Sequence, residues 1–255
     1  MKISGIGEFS FTPAEIDTVR SDIFQPGHFS FFDVLVHISR RGDINLQYHF
    51  DDNLATHVID SINSETNWWY AAHYSAGWKE DIVFRMDTHP YKDNGYFELF
   101  RESPQHLERI YGTFKDEVKR LQTNSGKVII PEFIIQSPSE QWNIENVEVT
   151  SHNIRNDVLK SGIVTALDVL ISLLEQEKLS QLKFAWYKTI GNADPVGSYW
   201  VEKIDISQES SGGCGFVYET GANVFSGFRG SHIHIPSDVR AIVSPDYGYW
   251  WWICL

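Results

Sequence analysis

Aromatic side chains are the residues of this sequence whose spacing most directly suggests a chemical use. Trp68-Trp69-Tyr70 form a dense cluster with Trp78, and in a strand the period of two turns Trp68 and Tyr70 to one face and Trp69 to the other. One ring set can then pack a core while the other offers a stacking platform for a flat ligand, so Trp68, Trp69, Tyr70 and Trp78 are the expected ligand-binding residues. Core packing competes with that reading at every single ring. Tyr249-Trp250-Trp251-Trp252-Ile253 pose the same choice, and for Trp250, Trp251 and Trp252 the expectation is a dry inter-domain contact or self-association, because interface cores are rich in Trp and Tyr.

Metal chemistry is the second candidate. His49, Asp51 and His57 lie close together, and the pairs Asp87/His89 and His232/His234 have the i, i+2 spacing that puts two ligands on one strand face. Two histidines and a carboxylate suffice for an open zinc or iron(II) site. No His-Glu-x-x-His accompanies them, so hydrogen-bonded histidines are the expected reading and neither metal nor cofactor is assigned. Nucleophile and phosphate motifs are missing: the chain has no Gly-x-Ser-x-Gly, no Gly-x-x-x-x-Gly-Lys-Ser/Thr and no Gly-x-Gly-x-x-Gly opening a helix. Glycines around Cys214, in Ser210-Ser211-Gly212-Gly213-Cys214-Gly215, read as a hairpin turn. Asp51-Asp52 and Glu80-Asp81 read as solvated turn acids. No catalytic residue is assigned.

The elements that must position these groups come in two copies. At an offset of 135, Arg20, Asp22, Gly27, Asp33, Val34 and Leu35 recur as Arg155, Asp157, Gly162, Asp168, Val169 and Leu170, six identities in sixteen ungapped positions. Ser30 and Thr165 are N-cap residues, and Asp33 and Asp168 three positions on are their capping-box acids, so both acids have a structural role. Apolar residues at helical spacing follow each cap. Gly42 ends the first helix, and Glu175-Gln176-Glu177-Lys178 predict a longer second one. Strands are expected at 44–50, 56–62, 68–74, 82–86 and 96–100, then at 182–187, 199–206, 215–219, 231–235, 240–243 and 249–253. Between the copies, Ser103-Pro104 start an amphipathic helix that Asn124-Ser125-Gly126 stop. Residues 128–135 are expected to be an edge strand or extended connector because of Pro131, with the domain boundary in Ser137-Pro138-Ser139-Glu140.

Ser30-Phe31-Phe32-Asp33-Val34-Leu35, the stretch His57-Val58-Ile59-Asp60-Ser61-Ile62, Trp68-Trp69-Tyr70 and Gly77 together resemble the β-grasp domains related to the C-terminal domain of transcobalamin and intrinsic factor. The resemblance covers roughly residues 1–101 and implies capture of a corrinoid-like ligand. The second copy departs from it, with Gly213-Cys214-Gly215-Phe216 in place of the Trp pair.

With 255 residues, 42% apolar, the chain is long enough for a sizeable core. A net charge of −13 argues against nucleic acid as the partner, and no apolar run reaches the length of a membrane span. The N-terminus lacks the apolar region of a signal peptide, and two cysteines are too few for a disulfide framework, so free thiols and a cytoplasmic location are expected. The expected fold is α+β: two tandem β-grasp-like units, 1–101 and a divergent 140–255, joined by a helix and extended segment over 102–139. Non-catalytic binding of a small aromatic or corrinoid-like ligand is the favoured function. A protein-interaction or oligomerising scaffold comes second and a metal-dependent enzyme third.

Overall fold

The computed structural model describes residues 1–73, 79–81, 83–92, 95–188, 197–205, 209–211, 213–225 and 235–254. Strands β1 (Lys2–Ile3) and β2 (Gly7–Glu8) precede helix α1 (Phe31–Arg40); the hairpin β3 (Leu46–Asp51) and β4 (Thr56–Ile62), then β5 (Trp68–His73), β6 (Lys79–Asp81) and β7 (Tyr96–Arg101) complete the first unit. Helix α2 (Pro104–Thr123) leads to β8 (Val128–Gln136), β9 (Gln141–Val149), α3 (Ala166–Glu175), the hairpin β10 (Leu182–Tyr187) and β11 (Ser198–Ile204), then β12 (Cys214–Gly221) and β13 (Tyr247–Cys254).

The strand orders are β2-β1-β7-β5-β6 and β9-β8-β13-β12. In each sheet the unit's first strand runs parallel to its last, and the other neighbours are antiparallel. Each hairpin forms its own two-stranded ladder, with a register shift at the same place, Gln47/Tyr48 and Lys183/Phe184. The protein is therefore mixed α/β, with two similar sheet-dominated units and three α-helices among the described residues.

Local chemistry sets the helices. The Ser30 hydroxyl accepts from the Asp33 N–H while the Asp33 carboxylate accepts from the Ser30 N–H, and Thr165 with Asp168 repeat both bonds. The predicted extension of α3 is absent. Glu177 takes a left-handed φ of 56° where Gly42 takes 85° after α1, and Lys178 N–H closes on Leu173 O as Asp43 N–H closes on Ile38 O. These closing bonds outweigh the helix propensity of the Glu-Gln-Glu-Lys run. α2 starts and stops as its caps predict, the Ser103 hydroxyl accepting from His106 N–H.

Four expectations are corrected. β8 is a central strand, between β9 and β13. Pro131 is tolerated there because the β13 ladder begins only at Glu132, and the β9 ladder passes from Ile130↔Val147 to Glu132↔Glu145 without bonding at Pro131. Ser137-Pro138-Ser139-Glu140 form the tight β8–β9 turn, closed by Ser137 N–H on Glu140 O, so the second sheet starts at Val128. In place of a strand at 82–86 there is β6 at Lys79–Asp81 and a 3₁₀ turn at Met86–Thr88; residues 240–243 carry only the bridge of Ala241 to Thr165. Cys214 and Cys254 are directly opposite on β12 and β13 and form a disulfide in place of the expected free thiols. The strand expected at 231–235 lies outside the described residues except for Ile235.

α1 covers one face of the first sheet through Phe31 on Phe97, and α2 covers the other through Tyr111 and Phe114 on Trp69. The apolar core of the first unit also takes in Val158, Leu159, Phe225 and Val239, so the two units share buried surface. α2 is tied to the second unit by Arg120, which donates to Ser244 O and pairs with Asp246.

Candidate functional site

The Trp cluster lies on β5, between β7 and β6 of the first sheet. Trp68, Trp69 and Tyr70 are 2%, 7% and 0% exposed. Period-two alternation holds: Tyr70 lies on the α1 side against Phe84 and His89, while Trp69 turns to α2. The second face is thus covered by the chain's own linking helix. Space left among these rings is about 10 Å³, no more than one water would need. Trp78 lies outside the described residues.

Ligand-sized space opens beside the cluster. A cleft of about 630 Å³ runs between β4 and α2, lined by Leu54, Val58, Ile59 and Leu107 with Asp60, Glu108, Tyr111, Gly112 and Lys115. Ile59 and Tyr111 line both this cleft and the small void at the Trp cluster, so these two side chains stand between the cleft and the Trp rings. The register shift in the β3–β4 hairpin skips Asp60, and its carboxylate meets His49 Nδ1 at 2.9 Å. Burial, with the Asp60 charge added, pushes the Tyr111 phenol up to about 12, so it stays protonated and able to donate. The second unit has no α-helix following β13 and therefore no counterpart of this wall among the described residues.

A second constellation occurs in both units. Arg20 binds Asp22 through Nε and Nη2 and reaches the buried Asp87 through Nη1 at 2.8 Å; Arg155 does the same with Asp157 and, at 2.7 Å, with the buried Asp238. Each guanidinium lies against an aromatic ring of the neighbouring hairpin, Phe50 or Trp186. Asp87 also accepts from Thr56 Oγ1 and His57 N–H and lies 2.9 Å from His57 Nδ1. Burial would raise Asp87, but the bonds from His57, Arg20 and Thr56 outweigh it and hold the carboxyl below its ordinary value. Asp238 has fewer donors, with one oxygen lacking a partner among the described residues, and burial pushes it up against the pull of Arg155. Asp87 accepts from His57 N–H on β4 and Asp238 from Tyr199 N–H on β11, which makes each constellation a clamp for its hairpin. Sequence reading found the arginines and their i+2 acids but missed Asp87 and Asp238 as their shared third partner.

The histidines go separate ways. His49 pairs with Asp60, His57 stacks on Phe32 and bonds Asp87, and His89 meets the Tyr70 hydroxyl. Asp87 belongs to the 3₁₀ turn and His89 caps it, so the pair does not lie on a strand face. No group of three or more His, Cys, Asp or Glu suited to a metal gathers among the described residues; His232 and His234 lie outside them. On β13, Trp250 stacks on Tyr218 and Trp252 packs edge-on to Phe216 within the second core, while Trp251 stacks on Tyr249 on the opposite face. Comparison with family models, curated proteins and solved structures finds no match.

Proposed function

We propose that this is a non-catalytic binding protein built on two β-grasp-like units, and that its ligand site is the cleft between β4 and α2. The observation that carries the reading is an open space of about 630 Å³ with a largely apolar lining and the Tyr111 ring in its wall, within the range of small-molecule sites. A hairpin, a capped helix and a last strand inserted parallel to the first support the β-grasp reading of each unit. A corrinoid-like macrocycle, which the transcobalamin resemblance suggests, would use the same wall through its edge. Trp68, Trp69 and Tyr70 then act as a rigid support under Tyr111 and Ile59. The Cys214–Cys254 disulfide favours work in an oxidising compartment over the cytoplasm.

Titration of the full chain with flat amphipathic compounds, corrinoids included, followed by intrinsic Trp fluorescence, tests this. A saturable change lost in Ile59→Asp, in a variant that still melts cooperatively, is expected. Saturable binding that ignores Ile59→Asp would move the site elsewhere.

One observation favours the scaffold reading as a second choice. Phe50 and Trp186 occupy corresponding places on the two hairpins and are 42% and 49% exposed. Light scattering of Phe50→Ser/Trp186→Ser against the parent decides it: a parent oligomer dispersed by the pair supports a scaffold, and a monomeric parent removes it.

A further inference from the structure

Gly112 lies in the interior of α2, where glycine costs about 1 kcal/mol relative to alanine. Neither usual reason for a glycine applies there. Its φ is not in the left-handed region, and a Cβ built on it would meet nothing within 4 Å. Gly112 does line the cleft, together with Tyr111 beside it and with Glu108 and Lys115, the neighbours that four- and three-residue spacing puts on its face of the helix. The consequence of the missing side chain is therefore open space at the cleft wall, kept at the expense of helix stability.

The polar groups around that space have a net sign. Asp60 and Glu108 contribute two carboxylates against the one ammonium of Lys115, on a chain of net charge −13. Ile59, Leu107 and Tyr111 supply the apolar surface.

We propose that the cleft binds a small amphipathic amine, its apolar body lying over Gly112 against Ile59, Leu107 and Tyr111 and its cationic head drawn to the carboxylates of Asp60 and Glu108. This assignment rests on the cleft being the binding site. It adds the ligand's charge and gives Gly112 a role.

Calorimetric titration of the full chain with three probes that share one ring system, naphthylethylamine, naphthylethanol and naphthylacetate, tests both layers. The amine should bind about tenfold tighter than the acetate, the scale of two partly screened charge contacts. Asp60→Asn/Glu108→Gln should erase that preference and leave the alcohol's affinity within about twofold. Gly112→Leu should abolish saturable binding of all three while its melting temperature stays equal or rises, because α2 gains helix propensity. Amine and acetate binding equally well, or a preference that survives the double substitution, would overturn the amine assignment and leave the cleft in place. Binding of every probe unchanged in Gly112→Leu, or no binding of any probe to the parent chain, would overturn the cleft itself.

Discussion

Phe24 and Leu159 pair antiparallel with one another, and they are the same position of the two repeats. The flanking bonds obey the same exchange: Gln25 N–H donates to Val158 O at 2.9 Å and Lys160 N–H to Ile23 O at 2.7 Å, so that the repeat carries one bond onto the other. A contact in which equivalent residues meet is the isologous arrangement of a two-fold dimer. Here it lies within one chain.

If this pairing holds the units together, Phe24→Ala should cost about 3–5 kcal/mol and Leu159→Ala about 2–5 kcal/mol. The double variant should lose less than their sum by about 0.5–3 kcal/mol, because the two side chains share one buried contact. Urea melts of the four proteins measure this, and strict additivity would show that the two positions act independently.

The two clamps should answer acid differently. Asp87 has a lowered folded pKa, so its stabilisation is present above about pH 3.8 and is lost as pH falls through the lowered value. Asp238 has a raised one, so its contribution weakens as pH climbs from about 3.8 through the raised value. At pH 7 Asp87→Asn should cost about 3–5 kcal/mol, as expected for one partner removed from a buried ion pair. Asp238→Asn should cost less, about 1–3 kcal/mol. Equal losses for the two variants in melts at neutral pH would contradict the assigned difference in donors.

Native protein unfolded in guanidinium without reductant should expose no reactive thiol. Reduction should then lower stability by about 2–4 kcal/mol, the effect of releasing a loop closed over a sequence separation of 40. Cys214→Ser/Cys254→Ser should behave like the reduced protein. Two titratable thiols per oxidised, unfolded chain would show that the bond does not form.

The repeat was legible because each of its polar identities serves a local purpose. Arg20 and Arg155 grip the acid two residues on, Gly27 and Gly162 turn at φ 87° and 90°, and Asp33 and Asp168 close capping boxes. Such relations span a few residues, so type and spacing suffice to read them. The period-two rule likewise puts Trp69 on the face opposite Tyr70, as the contacts of the two rings show.

Tertiary structure decided what lies opposite each of these groups. Asp87 and Asp238 meet their arginines across 67 and 83 residues, and the intervening loops differ in length, so no constant offset marks them as a pair. Whether Trp69 met a ligand or a core depended on α2 folding back across β5, which neither segment encodes alone. Pro131 could be central because the ladder on one side starts after it. The cleft exists only where a hairpin bulge and a helix wall face each other, with Asp60 and Gly112 on opposite walls. Caps, glycine turns and periodicity are therefore properties of neighbours along the chain, whereas burial and opposition arise from loop lengths and packing, which bring distant residues together only in the folded state.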